Sequence, residues 1–267
     1  MDKLERLKQI LSGYNSVLIA FSGGVDSSFL LKIASDVLPG RVAAVTAVSE
    51  TYPAHELETA KRVATLLGAK HLVIETSELT IPEFKDNPPD RCYYCKKELF
   101  GKLMKLAETE GFATVVDGTN ADDQNDFRPG MRACQELGIR SPLQEAGLTK
   151  AEIRAYSKEL DLPTWDLPSF ACLSSRFPYG ETITKEAVVQ VGQGEDYLRS
   201  LGLKQFRLRH HGSIARVEIW MDQLDLVLAN REEIVKQLKG LGYQYIALDL
   251  EGYRTGSMNE VLNLPKN

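Results

Sequence analysis

The segment Val17–Ser28 constrains the fold of this chain more than any other part of the sequence. Its apolar start, Val17–Phe21, predicts a buried parallel strand, and Phe29–Ala34 predicts a helix. Gly23 and Gly24 stand between them and lack Cβ atoms, so backbone N–H groups can face an anion closely there. The free amides and the dipole of the new helix add to that attraction, and the segment therefore predicts a phosphate-binding turn.

Polar side chains in the same segment support an anion site. Ser22, Ser27 and Ser28 can donate hydroxyl groups to phosphate oxygens. Asp26 would repel phosphate unless it caps the helix or helps to hold a Mg²⁺ ion that bridges the oxygens. No Gly-Lys-Ser/Thr follows the glycines, so this is not a Walker loop. A strand-to-helix turn without a ligand is the alternative.

Composition narrows the class of protein. The chain has 267 residues, 43% hydrophobic and 26% charged, which is typical of a soluble globular protein with one large or two ordinary domains. A net charge of −5 argues against a broad nucleic-acid surface. Without a recognisable signal peptide or membrane span, a cytoplasmic protein is expected. Four cysteines do not make a disulfide scaffold.

The first part of the chain alternates predicted strands and helices. Further strands are predicted over 41–48, 71–75 and 114–117, and helices over 53–68, 90–110 with an Asp90 cap, and 149–160 with a Thr149–Glu152 capping box. This alternation predicts the α/β class, with a doubly wound parallel sheet covered by helices on both faces. Ligands of such sheets bind at the carboxyl ends of the strands.

The pattern changes after residue 160, where three prolines interrupt a stretch of little periodicity. The loop at 22–27 resembles the pyrophosphate loop of ATP pyrophosphatases, and this resemblance implies a domain of that type over 1–165. We predict a linker and active-site loop over 166–182 and a smaller α+β domain over 183–267. The last domain is predicted to hold a helix from a Thr184 cap to Leu201, strands over 206–209 and 214–219, a helix over 222–241 and a strand over 243–250.

Three cysteines form a candidate metal or redox site. Cys92 and Cys95 stand one helical turn apart at a helix start, beside Lys96 and Arg91, a setting that favours thiolates. Cys172 lies in a polar loop bounded by prolines. Together they offer three ligands to a four-iron cluster or to Zn²⁺, and sequence alone does not choose between these metals. Incidental thiols are the alternative.

Cys134 is expected to be different from the other three cysteines. It stands at helical spacing between Met131 and Leu137, which favours packing in the core.

Two further groups of polar residues are candidates for nucleotide binding. After the fourth predicted strand, Gly118 permits close backbone approach to a ribose or adenine, and Asp122 belongs to a carboxylate-rich run suited to Mg²⁺. In the C-terminal domain, Arg207 and Arg209 face one way on a strand and offer bidentate contacts to phosphate, with Arg176 nearby in the patch. A solvated acidic turn and a solvated strand face are the alternatives.

Together these motifs resemble the LarE family over nearly the whole chain. The matching segments are the pyrophosphate loop at 22–27 and residues 117–120, 126–130, 174–180 and 216–218. The resemblance implies an enzyme that uses ATP and Mg²⁺ to adenylate the carboxylates of pyridinium-3,5-biscarboxylic acid mononucleotide. It then converts them to thiocarboxylates, in the synthesis of the nickel-pincer cofactor of lactate racemase.

The family has two variants that differ in their source of sulfur. One sacrifices a single cysteine, and the other is expected to hold a [4Fe-4S] cluster on three cysteines, with an additional sulfide. Cys92, Cys95 and Cys172 match the second variant. The resemblance also makes Glu195 a candidate for the site and implies a homohexamer. Lys96, beside the cysteines, is expected to stabilise negative charge near the cluster or the adenylate.

Three other functions stay open at this point. A tRNA-thiolating pyrophosphatase also joins such a loop to cluster cysteines, and an amide-forming ligase would leave the cysteines without a role. A nucleotide-binding module stabilised by a structural zinc site is the non-enzymatic alternative.

Overall fold

A computed structural model describes residues 2–125, 129–168 and 171–262. The chain divides into two compact units, the first made of residues 1–78 and 90–170 and the second of 79–89 and 171–267. Asp126, Phe127 and Arg128 of the 126–130 motif lie outside the described residues, as do Ser169 and Phe170 near Cys172.

The elements follow the predicted alternation. The strands are β1 (Val17–Ala20), β2 (Val42–Val48), β3 (Lys70–Glu75), β4 (Thr114–Val116), β5 (Phe206–His211), β6 (Ile214–Ile219) and β7 (Tyr245–Leu248). The helices are α1 (Lys3–Ser12), α2 (Val25–Val37), α3 (Ala54–Leu66), α4 (Pro82–Lys85), α5 (Arg91–Glu110), α6 (Gly130–Glu136), α7 (Pro142–Ala146), α8 (Lys150–Glu159), α9 (Lys185–Ser200), α10 (Leu224–Ala229) and α11 (Arg231–Gly240).

A parallel sheet in the order β3–β2–β1–β4 forms the centre of the first unit. Val17 of β1 lies opposite Val42 of β2 on one side and Thr114 of β4 on the other. The chain therefore leaves β1 towards β2 and later returns to its other side, so the strand order reverses between β1 and β4. In open parallel sheets the ligand crevice lies at the carboxyl ends of the strands at such a reversal.

Helices cover both faces of this sheet, which confirms the doubly wound α/β class. Val17 and Ile19 belong to a core with Phe29 of α2, whereas Leu18 belongs to a second core with Phe100 of α5. The change of face at each residue follows from the two-residue period of a strand.

The second unit contains a three-stranded sheet in the order β5–β6–β7, antiparallel in its first pair and parallel in its second. Leu208 and Val217 pack into a core with Leu198 of α9 and Leu238 of α11. This is the small α+β arrangement that the sequence predicts. Because side chains alternate along β5, Arg207 and Arg209 share the face opposite this core.

One predicted cap and two predicted boundaries are wrong in detail. Asp90 occupies the N-cap position of α5, but its side chain makes no capping hydrogen bond. The predicted helix 222–241 is divided into a short 3₁₀ turn, α10 and α11, because the Asn230 amide bonds the carbonyl of Leu226 at 2.8 Å and competes with the helical backbone bond there. The last strand is shorter than 243–250, because Tyr243 is buried in the core before β7 begins.

Residues 79–89 belong to the second unit although they precede α5 in sequence. Asn87 is fully buried there, and its Nδ2 donates to the carbonyl oxygens of Pro178 at 2.7 Å and Phe177 at 3.3 Å. The Gly180 amide donates to the Asn87 carbonyl in return. Asn87 also has a φ of 54°, in the left-handed region that asparagine tolerates better than most residues.

Within the described part of the chain, no helix is both long enough and apolar enough to cross a membrane.

Replacement of Asn87 should separate the contribution of its side-chain hydrogen bonds to stability from the cost of its left-handed backbone conformation. Asn87→Gly removes the side-chain bonds but accepts the left-handed backbone, so we expect a loss of about 2 kcal/mol in the free energy of unfolding. Asn87→Ala adds the backbone cost and should lose about 3 kcal/mol. Urea-induced unfolding of both variants measures the difference, and equal stability of wild type and Asn87→Gly would contradict the bonding described.

Candidate active site

The turn between β1 and α2 is shaped by hydrogen bonds among its own residues. The hydroxyl oxygens of Ser22 and Ser27 lie 3.2 Å apart, and the Ser27 hydroxyl also donates to the Gly24 carbonyl at 3.3 Å. The Gly24 amide donates to the Ser22 hydroxyl at 3.3 Å. At the start of α2, the first-turn amides have no carbonyl of their own helix to bond, which suits them to an anion.

Two glycines allow other backbone segments to approach this turn. Gly23 has a φ of +75°, and a Cβ built on it would lie 2.7 Å from the Cα of Ala60 in α3. A Cβ on Gly118, after β4, would lie 3.2 Å from the amide nitrogen of Ser27. Any side chain at Gly23 would collide with α3, and one at Gly118 would push the β4 loop away from the helix start. The two glycines therefore set the width of the cradle formed by residues 22–28 and the β4 loop.

Ser28 lies differently from the other two serines of the cradle. Its side chain is fully buried, and its hydroxyl has no hydrogen-bond partner within the described ranges. Its amide already donates to the Gly24 carbonyl at 3.0 Å. A contact between Ser28 and phosphate stays a prediction.

Asp26, on the first turn of α2, has partners from two other segments of the first unit. The Lys150 ammonium donates to one carboxylate oxygen, and the side-chain amide of Asn120 lies 3.5 Å from the other. The N-cap of α2 is Gly24, so Asp26 does not cap this helix and that alternative is wrong. Sequence reasoning missed Lys150, although it directly follows the predicted cap residue Thr149.

The carboxylates after β4 divide into structural and accessible ones. Asp117 is buried and accepts bonds from the Ser141 and Thr119 hydroxyls, both at 2.7 Å. Asp123 is also buried, and its carboxylate accepts a hydrogen bond from the backbone amide of Asn120 at 3.0 Å. Asp122 is exposed and accepts the backbone amide of Lys150 at 2.8 Å. Of the three, only Asp122 combines exposure with a position at this loop.

The cysteine pair lies on the first turn of α5. Cys92 is exposed, Cys95 is partly exposed, and the Cys95 sulfur lies 3.8 Å from a carboxylate oxygen of the buried Glu78. Lys96 follows directly, with its ammonium 5.0 Å from the centre of the Phe100 ring. These positions agree with the helix start that the sequence predicts for the pair.

Gly130 allows the start of α6 to approach the same turn. A Cβ on it would lie 2.9 Å from Cγ of Lys96 and 3.3 Å from the carbonyl oxygen of Cys92. This close packing restricts the stem of Lys96.

Cys134 is buried in the core of the first unit, as predicted. Its sulfur lies 3.7 Å from a carboxylate oxygen of Asp117, and burial together with that charge raises the pKa of its thiol to about 12. A thiol that stays protonated is a poor ligand and a poor nucleophile.

The second unit carries the third candidate ligand. Cys172 is partly exposed and directly precedes the 3₁₀ turn Leu173–Arg176, and its carbonyl accepts bonds from the Ser175 hydroxyl and the Arg176 guanidinium. Three accessible thiols fit the ligand chemistry of a cluster or of zinc. Among residues 2–125, 129–168 and 171–262, no group of three His, Cys, Asp or Glu side chains that could hold a metal ion is found.

Arg176 and Glu195 form a buried ion pair within the second unit. Two guanidinium nitrogens of Arg176 donate to the two oxygens of Glu195, each at 2.8 Å. Burial acts to raise the pKa of Glu195, but the charge and hydrogen bonds of Arg176 keep it below its ordinary value. Glu195 is therefore an anion at neutral pH that orients Arg176, and it is not a proton donor.

Arg209 and Arg207 lie in different environments. Arg209 donates to Glu218 and to the Ser175 carbonyl, both at 2.7 Å. The Arg207 guanidinium lies 5.0 Å from the ring centre of Tyr253. Burial and the nearby charge of Arg176 lower the pKa of Arg207 to about 10. An added anion would relieve that repulsion, so Arg207 stays a phosphate candidate together with Arg209 and Arg176.

Comparison with known proteins agrees with a nucleotide site of this kind. Residues 8–98 match the model of the asparagine synthase family. The chain is 42% identical over 262 residues to pyridinium-3,5-bisthiocarboxylic acid mononucleotide synthase of Lactiplantibacillus plantarum, covering 97% of this chain and 95% of that protein. It is 45% identical over 263 residues to an uncharacterised protein of Synechocystis, covering 98% of each. A third relative, an uncharacterised protein of Methanocaldococcus jannaschii, is 31% identical over 258 residues, covering 96% of this chain and 98% of that protein.

Proposed function

The chain belongs to the LarE family of ATP-using sulfurtransferases, and we propose that it converts the carboxylates of pyridinium-3,5-biscarboxylic acid mononucleotide to thiocarboxylates. The observation that carries this proposal is the cradle at the carboxyl edge of β1 and β4. Its glycines, serines and helix start suit a nucleotide phosphate chain, and it lies in a chain that matches a thiocarboxylate-forming synthase over nearly its whole length.

In the first step the cradle holds MgATP. The amides at the start of α2 and the turn residues Ser22, Gly23, Gly24 and Ser27 bind the pyrophosphate part, and Asp26 and Asp122 are the carboxylates suited to the Mg²⁺ ion that accompanies it. A substrate carboxylate oxygen forms a bond to the α-phosphorus while the bond to pyrophosphate breaks. The resulting acyl-adenylate is activated because AMP is a far better leaving group than oxide.

The substrate itself carries a phosphate, and the arginine face of β5 is suited to it. Arg207 and Arg209 lie on this face, and Glu218 and Glu195 hold Arg209 and Arg176 in place. The two glutamates keep this face from being a dense positive cluster and fix the guanidinium planes.

In the second step sulfur replaces the activated oxygen. We propose that Cys92, Cys95 and Cys172 are the ligands of a [4Fe-4S] cluster, which when bound supplies the sulfide that attacks the acyl carbon. AMP then leaves with one oxygen of the original carboxylate. Lys96, on the same helical turn as Cys95, stabilises the negative charge that develops during this exchange.

Assembly and location are implied only by the resemblance and by composition. A homohexamer in the cytoplasm stays a prediction.

The adenylation step depends on Asp26 in this mechanism. Asp26→Ala should lower ATP-dependent pyrophosphate release at least about 100-fold, because the metal ion that neutralises the leaving group loses its carboxylate. Release is measured with an enzyme-coupled assay in the presence of the biscarboxylic mononucleotide. Asp36→Ala, at an exposed carboxylate on the same helix that pairs with Lys32, should keep the wild-type rate. Undiminished release by Asp26→Ala would remove Asp26 from the mechanism.

The cluster ligands can be tested on anaerobically purified protein without any turnover. Cys92→Ala, Cys95→Ala and Cys172→Ala should each lose most of the iron, the labile sulfide and the visible iron–sulfur absorbance, because three thiolates hold the cluster jointly. Cys134→Ala should keep all three, since its thiol is buried and protonated. Zinc without iron or sulfide in the wild type, or full iron content in the three variants, would contradict the cluster.

A further inference from the structure

Lys150 lies at the cradle without a role in any of the steps above. It is the first residue of α8, and its ammonium donates to the carboxylate of Asp26 in the first turn of α2. We propose that Lys150 is a nucleotide-binding residue that pairs with Asp26 while the cradle is empty and binds a phosphate oxygen of ATP when the cradle is filled. This inference rests on the proposed function in one respect, that ATP is the nucleotide.

The backbone of Lys150 is fixed in place. Thr149 and Glu152 form a complete capping box, in which the Thr149 amide donates to Glu152 at 2.9 Å and the Glu152 amide to Thr149 at 3.3 Å. The Lys150 amide donates to Asp122 at 2.8 Å. The Lys3 ammonium donates a hydrogen bond to a carboxylate oxygen of Glu152 at 2.7 Å. These bonds fix the first turn of α8 to the loop after β4 and to α1.

The side chain of Lys150 is free to change acceptor. This side chain is 30% exposed. A lysine ammonium is a point charge on a flexible four-carbon stem, so it can move from one acceptor to another. Phosphate oxygens at the start of α2 would lie next to the carboxylate that now holds it. Rotation of the stem would exchange one acceptor for the other.

Charge balance favours this exchange. In the empty cradle the charges of Asp26 and Lys150 cancel, which removes the repulsion that a bare carboxylate would exert on an incoming phosphate. When MgATP binds, the carboxylate is suited to the metal ion and the ammonium to a phosphate oxygen, so no charge is left without a partner. The loop lacks the lysine that a Walker loop would supply, and Lys150 provides an equivalent cation from another helix.

A purely neutralising role is the competing explanation, and Asp26→Asn separates the two. Without the carboxylate, nothing needs neutralising and Lys150 is released to the phosphates. Isothermal titration with ATP alone, in buffer with EDTA, removes the contribution of Mg²⁺. Under these conditions Asp26→Asn should bind ATP more tightly than wild type, and adding Lys150→Met should weaken that binding at least about tenfold.

Titration of the single variants completes the test. Lys150→Met should bind MgATP at least about tenfold more weakly than wild type, and Lys150→Arg should lose less because it keeps the charge. Lys158→Met is the matched control on the same helix, since that ammonium lies over the Trp165 ring, and it should bind as wild type does. Thermal unfolding without nucleotide verifies that each variant is folded, and Lys150→Gln replaces Lys150→Met if the latter is not.

The outcomes distinguish this inference from the function it rests on. Equal ATP affinity of Asp26→Asn with and without Lys150→Met would show that Lys150 only neutralises Asp26, and the inference would be wrong. Unchanged MgATP binding by Lys150→Met would also overturn it, with the proposed function intact. Absence of ATP binding by the wild type would instead remove the function itself.

Discussion

The approach of two backbone segments to the first turn of α2 determines what the first unit can bind. Gly118 lets the loop after β4 lie so close to α2 that a Cβ there would be 3.2 Å from the Ser27 amide nitrogen, and Gly23 lets α3 pack on the turn itself. A side chain at either position would move one wall of the cradle. The positive end of α2 is thereby presented at the carboxyl edge of the sheet, where the strand order reverses and a ligand crevice is expected.

Paired charges recur in each of the two units. Asp26 pairs with Lys150 in the first unit, and within the second unit Arg176 pairs with Glu195 and Arg209 with Glu218. The pair at the cradle is partly exposed and can exchange partners at modest cost. The two pairs of the second unit are almost fully buried, so removing either partner would leave an uncompensated charge. The exposed pair is therefore suited to binding, and the buried pairs are suited to holding a shape.

Local patterns predicted most elements of the fold, because strands, glycine turns and helix caps depend on residues that are neighbours in the sequence. The Thr149–Glu152 capping box and the Thr184 cap were both found in this way. Contacts between distant residues were not predictable: Lys150 lies 124 residues from Asp26, and Asn87 lies 91 from Pro178. The burial of Ser28 depends on which face of α2 meets the sheet, and a motif of serines and glycines does not report that face. Pairing of Arg176 with Glu195 likewise needs the packed unit, because either residue alone reads as a surface charge.

In the proposed reaction, adenylation activates the substrate carboxylate before sulfur replaces its oxygen. The most direct measurement uses the biscarboxylic mononucleotide labelled with heavy oxygen in its carboxylates, together with ATP and anaerobic enzyme, followed by mass spectrometry of AMP and of the product. We expect one heavy oxygen in AMP for every sulfur that enters the product, because the carboxylate oxygen bonded to phosphorus leaves with it. Thiocarboxylate accompanied by unlabelled AMP, or label found in pyrophosphate, would contradict it.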